Sequence, residues 1–104
     1  MTAAVDPVHL VADRFAALGA PARVELLRQL VRAGDEGLTV GDLQKRSGLA
    51  LSTQAHHLGA LVRSGLVVQE RIGREVFSRV DYAAVRALGD FLLERCCEEA
   101  AQCQ

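Results

Sequence analysis

The residues with the most distinctive chemistry are three cysteines, Cys96, Cys97 and Cys103, grouped at the end of a 104-residue chain. Thiolates are soft ligands and select soft metals over hard ones. Zinc in a structural site normally takes four ligands, and beyond the three thiols only Glu98, Glu99 or water stands nearby. Exposed thiols beside a second thiol also suit oxidation. A third reading makes Cys96 and Cys97 small interface hydrophobes and Cys103 a loose tail thiol. Geometry constrains the first reading. On an unbroken helix, Cys96 and Cys103 would share a face but sit about 10.5 Å apart along the axis, and Cys96 and Cys97 would point about 100° apart. Three sulfurs could not then meet on one small atom. The intervening residues Glu98 to Gln102 contain good helix formers and no Gly or Pro. The expectation is therefore a helical or frayed tail that reorganises on binding.

A second candidate set lies mid-chain. At about 100° per residue, a helix over Thr53 to Ser64 puts Ala55, Leu58, Leu61 and Val62 on one side. Ser52, Thr53, His56, Ala60 and Arg63 lie broadly opposite, and His57 sits on the flank. Ser, Thr, Gln and His reach phosphates and base edges, and a helix N-terminus favours an anion. The alternative is that His56 and His57 are ordinary surface and boundary histidines. No nucleophile–base spacing is recognisable among the histidines, thiols and carboxylates, which argues against an enzyme.

Charge is distributed to match. The chain has a net charge of −1. Between residues 41 and 80, however, Lys45, Arg46, Arg63, Arg71, Arg74 and Arg79 face only Asp42, Glu70 and Glu75, whereas the last stretch is acidic. A phosphate-facing surface concentrates positive charge in this way, although uneven solvated charge would look the same. No segment is apolar enough to span a membrane and none reads as a secretory signal. The expected location is the cytoplasm, where cysteines are seldom structural disulfides.

The elements that must position these groups follow from caps and periodicity. Asp6 then Pro7 reads as the start of a helix to about Leu18, with Leu10, Val11, Phe15 and Leu18 inward, ended by Gly19. Pro21 opens a second helix with Val24, Leu27, Leu30 and Val31 recurring at helical spacing, closed by Gly34. Thr39 and Asp42 form a capping pattern for a short third helix from Val40 to about Arg46. After Gly48, Ser52 is read as the cap of the fourth. Leu66 to Val68 and Val76 to Val80 read as strands around a turn at Arg71 to Arg74. Asp81 caps a last helix, to about Arg95, with Val85, Leu88, Leu92 and Leu93 as its stripe.

These segments resemble the ArsR/SmtB family of metal- and stress-responsive repressors. FAALGAPARVELLRQLVRA (15–33) resembles the family's F-x-A-L-x-x-P-x-R opening, LALSTQAHHLGALVRSGLVV (49–68) its recognition helix and RIGREVFSRV (71–80) its wing. The resemblance implies a mainly α, dimeric winged helix-turn-helix with a β-hairpin wing, in a single domain over 1–104. The helix-turn-helix would occupy 39–65, the wing 66–80, and the dimerisation helix and sensor tail 81–104. It implies a homodimer joined through its first and last helices and bound to double-stranded operator DNA. Half-sites would be spaced about one helical turn, ~34–36 Å, apart. Ser52, Thr53, Gln54 and His56, with Arg71 and Arg74 on the wing, would face the DNA. Leu51 stands where the family often has Gln, Gln54 where it often has a small apolar residue, and Gly59 where Lys or Arg is common.

Two sensor sites of the family are missing their ligands here. The start of the third helix, Gly37 to Asp42, has no cysteine, and the last helix has no histidine for zinc. The remaining candidates are Cys96, Cys97 and Cys103, which resemble the thiol sites of arsenic-responsive relatives. The implied inducer is As(III), or Sb(III), with a redox- or persulfide-responsive repressor of the same fold as the alternative.

Overall fold

Caps and turn glycines divide the chain much as its sequence suggests. The computed structural model describes residues 7–100. These form α1 (Pro7–Ala17), α2 (Pro21–Ala33), β1 (Leu38–Thr39), α3 (Val40–Ser47), α4 (Leu51–Arg63), β2 (Val67–Ile72), β3 (Glu75–Val80) and α5 (Tyr82–Leu93). The expected mainly α architecture with a hairpin wing is what the chain adopts. The proposed Asp6 cap lies outside the described residues.

The starts and stops have local causes. Pro21 opens α2 because the first helical residue needs no N–H donor. Thr39 caps α3 by accepting the Asp42 N–H at 3.1 Å, and Gly48 closes it in the left-handed conformation. Asp81 caps α5 by accepting the Ala84 N–H at 3.1 Å. The fourth helix departs from expectation: it begins at Leu51, its cap is Ala50 without a side-chain bond, and Ser52 lies inside it.

The sheet runs in the order β1-β3-β2, all antiparallel. Strand β1 has only two residues, too few to show a period, and sequence reading missed it. The wing turn is tighter than expected. Ile72 pairs with Glu75, leaving Gly73 and Arg74 as a two-residue loop. Gly73 takes positive φ there, as a II′ hairpin requires of its first central residue.

The core is a leucine cluster. Leu26, Leu27 and Leu30 of α2 meet Leu43 of α3, Leu58 and Leu61 of α4, and Leu38, Leu66, Val67 and Val80 from the sheet and its approach. Ala84 and Leu88 of α5 close it. Several expected core residues lie outside. Phe15, Val24 and Val31 are exposed, as are Leu92 and Leu93, at 64% and 68%. An apolar stripe was therefore legible on each helix, but not which part of it this chain covers by itself. Among the described residues no helix is long and apolar enough to cross a membrane.

Gly37 sets how closely β1 approaches β3. It has φ +74°, and a Cβ there would run into the Ser78 carbonyl oxygen. Gly37→Ala is expected to cost at least about 2 kcal/mol, combining a disfavoured backbone with a clash. Gly41→Ala, inside α3 with open space around it, is expected to be neutral or to stabilise by up to ~1 kcal/mol. Urea denaturation of the two variants tests the contrast.

Candidate nucleic-acid interface and sensor tail

The turn between α3 and α4 is held by a buried side-chain network. Gln54, 1% exposed, donates from Nε2 to the Val40 carbonyl at 3.1 Å. Its Oε1 accepts the Ser47 hydroxyl proton at 2.8 Å. Ser47 Oγ in turn accepts the Leu49 N–H at 3.2 Å, and Gln44 Nε2 donates to the Leu49 carbonyl at 3.3 Å. Both ends of the Gln54 amide are thereby satisfied away from water, as burial demands. Gln54 is thus not a DNA-facing residue, and its expected role is corrected. It belongs to the inner face with Leu58 and Leu61, while Ala55, expected inward, is exposed. The signal was in the sequence: Gln54 stands where the family has a small apolar residue, an inward preference.

With that rotation, the outward row of α4 is Ser52, His56, Gly59 and Arg63, spaced at i, i+4, i+7 and i+11, with Thr53 beside it. Ser52, Thr53, His56 and Arg63 are exposed. A Cβ on Gly59 would stand 3.0 Å from an Arg63 guanidinium nitrogen, so the missing side chain is what lets Arg63 fold back along the row. His57 lies at the flank, half-buried. Its Nδ1 accepts from Arg23 Nε at 3.1 Å, and its ring meets that of His56 edge-on, centroids 5.4 Å apart.

The wing flanks both helices. Gln69 of β2 shares a cleft of about 240 Å³ with Ala55, Leu58 and Gly59 of α4. Arg74 and Val76 share another, of about 390 Å³, with Thr39, Val40 and Gly41 at the start of α3. Arg71 and Arg74 are exposed at the wing tip, and Arg71 Nε reaches the Gly73 carbonyl at 3.4 Å. Arg79 is engaged with Glu70 at 2.8 Å. Its position leaves the two tip arginines as the wing's outward cations.

Residues 18–70 match the helix-turn-helix domain family. An ArsR-like transcriptional regulator from Rhodococcus sp. RHA1 is 33% identical, with a TM-score of 0.75 over 88% of this chain and 82% of that one. The chain belongs to the ArsR family. It is a DNA-binding transcriptional regulator, and its family is one of regulators rather than enzymes. Reduced HlyU from Vibrio cholerae is similar at 26% identity and a TM-score of 0.67, covering 91% of this chain and 93% of that one. The homodimeric winged helix-turn-helix DNA-binding domain of Mb0332 from Mycobacterium bovis shares the fold at 24% identity and a TM-score of 0.67, covering 100% of both chains. No curated protein matches the sequence.

In this ArsR-family chain the tail departs from the expected continuation of the last helix. Helix α5 stops at Leu93, two residues before the expected end, and Glu94 is extended with ψ 136°. Arg95 and Cys97 then take positive φ, 62° and 60°, each at a cost of roughly 1–2 kcal/mol for a non-glycine residue. Consecutive turns follow, closed by Cys96 N–H to Leu93 O, Glu98 N–H to Arg95 O and Ala100 N–H to Cys97 O. Arg95 clasps Glu98 through two bonds of 2.6 and 2.7 Å. The Cys96 and Cys97 sulfurs lie 3.3 Å apart, well beyond the ~2.05 Å of a covalent S–S bond, and Cys97 is disulfide-bonded. Cys103 lies outside the described residues.

The Arg95 hydrogen bond holds the Glu98 carboxyl below the usual carboxylate range. A lowered folded value means the pair contributes above the ordinary Glu range and is lost only as pH falls through the lowered value. Acid titration followed by the Arg95 Nε–H NMR signal is expected to show the clasp surviving the ordinary Glu range, whereas Glu98→Gln loosens it at neutral pH. At the reading head, Gln54→Ala is expected to cost about 1–3 kcal/mol, because Val40 O and the Ser47 hydroxyl lose their partner. Arg74→Ala should leave stability unchanged, weaken DNA binding evenly across sequences and reduce the salt slope by about 1. Denaturation and salt-dependent anisotropy measure the two effects.

Proposed function

We propose that this regulator is a homodimeric repressor that leaves its operator when trivalent arsenic, or antimony, is held by the thiolates of Cys96, Cys97 and Cys103. The observation that carries the reading is the juxtaposition of the Cys96 and Cys97 sulfurs just past the end of α5. At 3.3 Å they are close enough to share one soft ion at the ~2.3 Å of a metal–thiolate bond. An unbroken helix would have splayed them, and the break at Glu94 removes that obstacle. The terminal helix then has no need to unwind before the first two ligands meet. Cys97 must first be reduced, so this response belongs to the reduced protein.

The dimer reading rests on exposed apolar side chains. Val8 and Phe15 of α1, and Leu92 and Leu93 of α5, are exposed on helices that pack against each other, and such surface marks an interaction site. Joined there, two copies would present two α4 helices, with Ser52, Thr53 and His56 toward base edges and Arg71 and Arg74 toward the backbone. An inducer at the end of α5 would act at that joint, and it releases DNA only by favouring the non-binding arrangement.

A second reading, release by thiol oxidation with a peroxide or persulfide as oxidant, is favoured by the disulfide at Cys97. One experiment separates the two. A duplex selected by the reduced protein from a random-sequence pool is titrated in the presence of arsenite, antimonite, zinc, cadmium, peroxide and polysulfide. The arsenic reading expects arsenite to weaken binding at least tenfold. It also expects Cys96→Ser, Cys97→Ser and Cys103→Ser to bind DNA normally without responding. Arsenite without effect, alongside an oxidant that abolishes binding, would establish the second reading instead. A full arsenite response from Cys103→Ser would remove that residue from the site.

A further inference from the structure

We propose that Arg23 and His57 form a positioning pair for the DNA-reading face, with Arg23 acting through the His57 ring to set the orientation of His56. The inference rests on α4 being the reading helix and on His56 being one of its reading residues. Arg23 stands in the first turn of α2 and His57 in the middle of α4, 34 residues apart. Their bond is a side-chain tie between the scaffold and the reading helix, part-buried and 3.1 Å long. A guanidinium N–H can only donate, so Nδ1 of His57 is the acceptor and the neutral ring carries its proton on Nε2. Arg23 thereby fixes both the tautomer and the ring plane of His57.

That plane matters because of what leans on it. The His56 ring packs against His57 edge-to-face, at 61° between planes, an arrangement aromatic rings favour over a face-to-face sandwich. His56 is exposed in the outward row, where the core cannot fix its rotamer. The chain of influence therefore runs from α2 through a part-buried hydrogen bond and a ring contact to an imidazole at the surface. A base-reading side chain loses accuracy when its orientation is free, because hydrogen bonds to base edges are directional.

Arg23 also lines a cleft of about 310 Å³ with Asp13, Ala60 and Arg63, along the edge of the same row, so it could contact a DNA phosphate directly. The two roles leave different signatures. A phosphate contact lowers affinity for all sequences alike and reduces the salt slope, whereas a positioning residue lowers discrimination at constant slope.

The test uses the full chain, reduced, and a duplex it has selected from a random-sequence pool, with a scrambled duplex as reference. Arg23→Gln, His57→Phe, His57→Asn, His56→Ala and the double variant Arg23→Gln/His56→Ala are compared, with urea denaturation confirming that each is folded. Arg23→Gln is expected to lower affinity for the selected duplex about tenfold, with scrambled-duplex affinity and salt slope unchanged, and to add little once His56 is already Ala. His57→Phe, which keeps a ring but not the acceptor, should reproduce the loss. It also carries the test if Arg23→Gln fails to fold. His57→Asn, which keeps an acceptor but not the ring, should also lose discrimination. Imidazole ¹⁵N spectra should show His57 as the Nε2–H tautomer in the native chain and a tautomer mixture in Arg23→Gln. Independent, additive losses from Arg23→Gln and His56→Ala would overturn the proposal, as would a uniform loss with the salt slope reduced by about 1. If His56→Ala alone leaves discrimination intact, the assignment of His56 as a reading residue fails, which is a different result from additivity.

Discussion

The orientation of α4 depends on one buried amide. Gln54 sits among leucines with both its donor and acceptor satisfied by α3, at that helix's first residue, Val40, and its last, Ser47. An apolar residue could fill the space, but it would not specify the angle at which α4 leaves the turn. Hydrophobic contact is non-directional, while a bidirectional amide bond to a helix's N-terminal carbonyl and to the serine that ends it is not. The leucine cluster holds the helices together, and Gln54 fixes how they are oriented. The exposed row Ser52–His56–Arg63 is outward because Gln54 is inward.

That same residue marks where sequence reading reached its limit. The number and order of helices, the caps at Thr39 and Asp81, and the hairpin all follow from local rules, because each is written in a few adjacent residues. The helix rotation was legible only in part: helical spacing and the family's small apolar residue at that position both point Gln54 inward, but a polar residue buried by hydrogen bonds to distant groups looks, in a binary pattern, like a surface residue. The DNA-facing role of Gln54 was implied by the family resemblance alone, and Ala55, expected inward from its periodicity, is exposed. Strand β1 was missed for a different reason: two residues have no periodicity, and their pairing with β3 is decided by partners about 40 positions away. The Arg23–His57 bond is likewise long-range, and no local pattern announces that the two residues meet.

At the C-terminal end, helix propensity was overruled. Glu98 to Ala101 are good helix formers, yet α5 ends at Leu93 and two non-glycine residues adopt left-handed backbone. The Arg95–Glu98 clasp and a series of turn hydrogen bonds accompany that conformation. Strain of this kind, placed beside the chain's reactive side chains, is where a functional device is commonly found. The feature that seemed to forbid a shared thiol site, the helical spacing of Cys96 and Cys97, is absent from the folded chain.

The smallest strand carries a consequence for how any signal must travel. Strand β1 runs into α3 without a single intervening residue, and its partner β3, the central strand of the sheet, is the returning strand of the wing. Wing and helix-turn-helix are therefore riveted at Thr39, so neither can tilt without dragging the other. A reading head built in this way offers little internal play for an effector to exploit. What remains adjustable is the placement of one whole head relative to the other in an assembly, a rigid-body rotation about the joint between copies. Regulation would then act as a change in the spacing of two intact heads, and a half-site would be recognised by the same surface in either state.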